Sequence, residues 1–294
     1  MSTTDIAALL AIAAALMIGI GDVLEQRSAQ QVTDKPVGTL ALFRRLLRDR
    51  RWWTGSLVAA AGFGLQAAAL GVGSVVLVQA LSVTSLLFAL VISATVNHRR
   101  ITRWQAMWAA LLAAAVAVVV TVGNPQAGNP RGSFRTWAVV AVVMGTALIL
   151  CAIGARVFSS SVRALLLGLM SGSLWGLFSV LTKGVMDQLG RGIPTLLRTP
   201  ELYVWAVLAI AATALEQSAF RAGPLTASLP AVTISEPIVG SVLGVTVLGE
   251  TLNTNNIGLV ALDISVAVMI AATLALARSQ AASGVDDRPT ANVA

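Results

Sequence analysis

An acid followed directly by a proline, in the middle of an apolar run, is the arrangement in this sequence that carries the most chemistry. The run extends from Pro224 to Glu250, PLTASLPAVTISEPIVGSVLGVTVLGE, with Glu236 near its centre, Pro237 next, and a Gly-x-x-x-Gly pair at Gly240 and Gly244. It is long and apolar enough to cross a bilayer. An ionisable side chain at membrane depth is costly and faces a bundle interior or a water-filled cavity. Pro237 has no amide hydrogen, so the carbonyl of Thr233, four residues back, loses its helical partner. An acid and a free backbone oxygen therefore stand side by side. Backbone of this kind is tolerated in a membrane only inside protein or beside a cavity, and the run reads as part of a solute pathway.

Few other groups can share that chemistry. Glu216, with Gln217 beside it, Asp263 and Asp22 fall within apolar runs, whereas Glu25 lies close enough to Arg27 to be hydrated at the interface. Lys183 has Asp187 four residues on, which reads as an intrahelical salt bridge near a membrane surface. Gln66, Gln79, Ser82, Thr84 and Ser85 can supply neutral oxygens. Desolvation favours the protonated form of a buried acid, so Glu236 could exchange a proton for a cationic substrate. The same residues admit a second scheme, in which Glu236, Glu216 and Asp263, with the Thr233 carbonyl and water, form the all-oxygen shell that Mg2+ requires. Single Cys151 and single His98 leave no Cys/His metal cluster and no internal disulfide, and no loop gathers catalytic residues. The expectation is a non-enzyme without a cofactor.

The elements that must position these groups are membrane helices. The chain is 56% hydrophobic and 11% charged over 294 residues, too apolar and too uncharged for a soluble α/β protein of this length. Apolar runs near the length of a span fall at roughly 6–26, 53–71, 74–97, 104–123, 134–155, 164–186, 202–220, 225–248 and 255–277, which makes nine. With the N-terminus outside, 15 basic residues lie in cytoplasmic segments and four in outer loops, with Lys183 inside a span. This asymmetry predicts an N-out, C-in orientation in a bacterial-style inner or plasma membrane, and it accounts for the net charge of +7 without nucleic acid. Trp52, Trp53, Trp104, Trp137 and Trp205 fall near span ends, as interfacial anchors do. No basic segment precedes the first run, so that span is expected to be retained. Residues 36–51 place Leu40, Phe43, Leu46 and Leu47 at helical spacing opposite arginines, the pattern of an interfacial helix facing lipid head groups. The tail 278–294 reads as disordered.

Internal repetition organises the spans. A shift of 150 superposes residues 62–120 without a gap on the second half, setting Leu65 on Leu215, Gly73 on Gly223 and Ser85 on Ser235. A shift of 157 places Gly19, Val23 and Leu24 on Gly176, Val180 and Leu181. Partners are five spans apart, and an odd offset reverses direction across the bilayer. The expectation is an all-α polytopic fold of about nine helices: a first repeat over 1–123, a linker and connecting helix over 124–163, and an inverted second repeat over 164–277. Secondary transporters use this organisation, with substrate sites near the midplane at the repeat interface. Gln66 is the partner of Glu216, whereas Glu236 and Asp263 answer to Leu86 and Ala113, so the acids belong to one half.

The runs GDVLEQRSAQ, LQAAALGVGSVVLVQALSVTSLLFALV and SLPAVTISEPIVGSVLGVTVLGETL resemble the drug/metabolite transporter superfamily. The four-plus-one-plus-four layout and the dibasic entry into WWTGSLVAAAGFGLQAAAL are similar to its magnesium-transporter-like (NIPA-type) branch more than to the ten-span EamA-like branch. The resemblance covers nearly all of residues 6–277. It implies a secondary transporter of small solutes, and the branch implies Mg2+; superfamily substrates vary too widely for the fold to choose. Substrate- or proton-binding candidates are Glu236, Pro237, Thr233, Glu216, Asp263, Asp22, Ser85 and Gln66, with Glu236, Glu216 and Asp263 as the metal set of the divalent-cation alternative. A flippase for lipid-linked sugars, using the basic segment 44–51, and a non-transporting membrane scaffold are further alternatives. The expected partners are a small-molecule or cation substrate, membrane lipid and, as an allowed assembly, a second copy of the chain.

Overall fold

The computed structural model describes residues 2–32, 50–96 and 100–286. In chain order the helices are α1 (Thr3–Val32), α2 (Arg50–Val72), α3 (Val75–Ser82), α4 (Ser85–Val96), α5 (Arg103–Thr121), α6 (Phe134–Val157), α7 (Ser160–Gly190), the short α8 (Ile193–Arg198), α9 (Pro200–Ala222), α10 (Leu225–Leu248) and α11 (Asn256–Asp286). Two two-residue strands, β1 (Pro125–Gln126) and β2 (Thr251–Leu252), pair antiparallel with Pro125 opposite Leu252. Among the described residues, eight helical segments are long and apolar enough to cross a membrane, and the apolar part of α2, Leu57–Val72, is shorter. This is a helical, multi-pass membrane architecture.

The packing follows from small residues at crossing points. α1 lies along α2 and against α4, and α7 lies along α9 and α10; α10 also meets α3 and α11, and α11 meets α5. α6 touches mainly α7 and leaves most of its apolar side chains on the outside of the bundle. Gly176 brings α7 so close to α10 that a Cβ there would stand 2.8 Å from the Glu236 carbonyl oxygen and 2.8 Å from the Gly240 nitrogen. Gly19 plays the same part between α1 and α4, where a Cβ would stand 2.9 Å from the Ser85 carbonyl oxygen. Such approach lets neighbouring backbones pack in van der Waals contact, the main attraction between helices in lipid. α3 is the most enclosed element: Val75, Leu77, Val78 and Gln79 have essentially no exposure.

Several elements depart from the sequence expectation. The span 74–97 is broken at Val83–Thr84, where the Thr84 hydroxyl donates to the Leu81 carbonyl at 2.6 Å and the Thr84 amide to the same oxygen at 3.0 Å. The run Ser82-Val83-Thr84-Ser85 offers side-chain oxygens that compete with the helical backbone pattern, which is why the helix yields there. α10 instead runs unbroken through Pro230 and Pro237. α11 continues as helix to Asp286, past the point where the chain reads as a disordered tail. The expected interfacial helix over 36–51 lies outside the described residues up to Asp49, and Arg50 and Arg51 already belong to α2.

Candidate functional site

Glu236 occupies the inner crossing of α10 with its neighbours. Val75 stands against Gly244 and Gln79 against Gly240, so α3 and α10 run antiparallel in register along this contact. One further turn along each helix brings Glu236 level with Val83, at the break between α3 and α4. Glu236 is half-buried and Pro237 buried. The Thr233 hydroxyl donates to the Leu229 carbonyl at 2.8 Å and the Ser235 hydroxyl to the Ala231 carbonyl at 2.6 Å, so both face back into their own helix. The sole side-chain carboxylate of α10 thus stands level with the end of the opposing helix, where the Gln79 and Leu81 carbonyls accept from the Ser82 and Thr84 hydroxyls.

Glu216, on α9, lies within electrostatic reach of Glu236. The indole nitrogen of Trp175 on α7 donates to its Oε2 at 3.0 Å. Trp175 opens a line of aromatic rings. Phe63 of α2 stacks on it with centroids 6.1 Å apart, Phe178 meets its edge at 5.2 Å, and Trp205 stacks on Phe178 at 4.9 Å. Trp205 also donates to the Thr182 hydroxyl at 2.8 Å, so it braces α9 on α7 instead of serving purely as an interfacial anchor. Two carboxylates within electrostatic reach of each other can attract a cation by charge.

The other candidates divide. Gln66 is buried on α2 and Ser85 begins α4, its carbonyl against Gly19. Gln79 is fully buried, with Oε1 accepting from the Ser82 hydroxyl at 3.3 Å. Asp22 and Asp263 are exposed on α1 and α11. Among the described residues no three Asp, Glu, His or Cys side chains come together as a metal site, so Glu216, Glu236 and Asp263 do not form one shell. The reason is helical phase: Asp263 falls on the face of α11 that carries exposed Val260 and Ile264, away from the buried Leu262 and Ser265.

Lys183 corrects the sequence reading. Its ammonium does not bind Asp187, which pairs with Arg191 at 3.0 Å. Lys183 donates instead to Glu250 Oε1 at 2.9 Å and to the Gly73 carbonyl at 2.7 Å. Glu250 also accepts from the amides of Val75 at 2.7 Å and Val76 at 3.0 Å, neutralising the first turn of α3. Both partners are buried, with side-chain exposures of 6% and 1%. An ammonium four residues from a carboxylate on one helix wins less than one inserted between a carboxylate and a carbonyl, because the latter pair satisfies two donors away from water.

Glu250 and Trp175 are the residues that sequence reasoning missed. The signal for Glu250 was present in Gly249, which adopts φ 67 at the end of α10 and folds the chain back so that the Glu250 amide reaches the Gly244 carbonyl at 3.1 Å. Nothing local marks Trp175, whose role depends on α9 lying alongside α7.

No protein-family model matches this chain, and no solved structure matches it. Over 285 residues it is 36% identical to an uncharacterized protein of Corynebacterium glutamicum, an alignment that covers 95% of this chain and 97% of that one.

Proposed function

This chain belongs to the same family as the Corynebacterium glutamicum protein, and we propose that it is a secondary active transporter of the drug/metabolite type, moving a small metabolite or organic cation by alternating access. The observation that carries this reading is Glu236, an acid inside the bundle, level with the break between α3 and α4. Transporters place their sites at such discontinuous helices, near the midplane and between repeats.

The inverted repeat draws support from contacts that the two sequence shifts relate. Gly73 packs against Ala7; the shift of 150 carries Gly73 to Gly223 and the shift of 157 carries Ala7 to Ala164, and Gly223 packs against Ala164. Gly19 touches α4 as Gly176 touches α10. α1 packs on α2 and α4 in the way that α7 packs on α9 and α10. These correspondences favour four spans, a connecting α6, and four inverted spans, with the short α2 counted as a span and the basic excess placing the N-terminus outside an inner or plasma membrane.

Glu236 and Glu216 are the groups that would meet a cationic solute or carry the exchanged proton, with the Trp175 indole bonded to Glu216. A divalent-cation site would need Asp263 or another donor to join them, so the organic-solute reading is the better supported. Uptake into proteoliposomes under an imposed pH gradient, comparing Mg2+ with organic cations, amino acids and other metabolites, tests it. Gradient-driven flux of at least one organic solute, abolished by Glu236→Gln in correctly inserted protein, is the expected result. Flux of Mg2+ alone, or flux unchanged by Glu236→Gln, would overturn it.

A further inference from the structure

One end of the molecule is tied across its two halves by a single buried network. Lys183 comes from α7 and Glu250 from the segment after α10, both in the second half; Gly73, Val75 and Val76 form the α2–α3 corner of the first. Three hydrogen bonds at this corner, from Lys183 to Gly73 and from Val75 and Val76 to Glu250, cross between halves. The segment after α5 is strapped over the same end: β1 pairs with β2, the Asn129 amide donates to the Leu248 carbonyl at 2.7 Å, and Arg131 pairs with Glu201 on α9.

The residues that the two shifts relate to these do not carry the same chemistry. The shift of 150 relates the Gly73–Val76 corner to Gly223–Thr226 and Glu250 to Arg100, and the shift of 157 relates Lys183 to Gln26. Arginine has donors and no acceptor, so it cannot receive the amides of a helix first turn. Arg100 is exposed. Among the described residues the tie therefore stands at one end only.

While water is excluded, every charge is paired and hydrogen-bonded; once water enters, both ions recover their hydration and the separated arrangement loses much of its penalty. We propose that Lys183, Glu250 and the Gly73–Val76 corner are a latch that holds this end closed, and that access to the Glu216–Glu236 region from this side requires Lys183 and Glu250 to part from the corner. The latch rests on the transporter reading for the purpose of its opening, and its geometry can be tested without any substrate.

The test is thiol accessibility in reconstituted protein whose sole cysteine, Cys151, is replaced by alanine. Val76→Cys sits under the latch, and Ala219→Cys, buried on α9, reports the integrity of the fold. A membrane-impermeant maleimide should label Val76→Cys slowly. Adding Lys183→Met and Glu250→Gln together, which leaves no unpaired buried charge, should raise that labelling about tenfold or more, while Ala219→Cys stays protected. Unchanged labelling of Val76→Cys in the double variant would overturn the latch, whatever the flux assays show. Labelling at both positions reports unfolding, and Lys183→Gln with Glu250→Gln, which also leaves no unpaired buried charge and keeps polar groups at both positions, then decides by the same criterion. Absence of flux for every solute, with labelling raised as expected, would sink the transporter reading and leave the latch standing.

Discussion

Removing the Glu250 carboxylate should be among the most damaging single changes available to this fold. In Glu250→Ala the Lys183 ammonium stays in a site 6% exposed with only the Gly73 carbonyl, and the amides of Val75 and Val76 lose their acceptor at the start of the most enclosed helix. Breaking a buried ion pair by deleting one partner costs about 3–5 kcal/mol, because a charge is left uncompensated. The two orphaned amides would add about 1–3 kcal/mol each if they stayed dry, so local water entry should hold the loss near the upper part of the pair estimate. The double variant Lys183→Met/Glu250→Gln removes the charge while keeping an acceptor, and should lie within about 1–2 kcal/mol of the parent. Reversible unfolding in mild detergent, followed by the fluorescence of the seven tryptophans, gives the stabilities of Glu250→Ala and of the four members of the cycle: parent, Lys183→Met, Glu250→Gln and the double variant. Lys183 and Glu250 should be coupled by about 2 kcal/mol or more. A loss below about 1 kcal/mol in Glu250→Ala, or additivity across the cycle, would refute it.

Gly176→Leu forces a side chain against the Glu236 carbonyl and the Gly240 amide, and should lower stability by about 1–3 kcal/mol, read as a reduced melting temperature in detergent; a neutral result would mean that α7 and α10 are further apart than described. Ser74→Ala deletes the side-chain cap on the Leu77 amide, 3.0 Å away, and should cost about 1 kcal/mol in the same assay, well short of Glu250→Ala. Trp175→Phe keeps a ring against Phe63 but removes the donor to Glu216; whichever solute is transported should show a raised KM with little change in stability, and an unchanged KM would take Trp175 out of the site.

Much of the architecture is written along the chain, because a span declares itself through local composition: some twenty apolar residues between polar ends need no knowledge of their neighbours. The sequence alone determines a multi-pass helical protein, the approximate spans, the acid at Glu236 beside a proline, and the paired glycines that the two shifts relate. It also holds the break at Val83–Thr84 in a run of hydroxyl residues, though α10 shows that helix irregularity cannot be inferred from proline alone. What only the tertiary structure decided is partnership. Lys183 has a carboxylate four residues away on its own helix and ignores it for Glu250, 67 residues further on, because buried charges choose the partner with the most complete hydrogen bonding and the least water. Trp175 reaches Glu216 only because α9 lies along α7. Asp263, an equal of Glu216 in the chain, is turned to the outside by the phase of α11. Depth in the membrane can be counted from the ends of an apolar run, whereas the direction a side chain faces, and what it meets there, depends on helices packed from distant parts of the sequence.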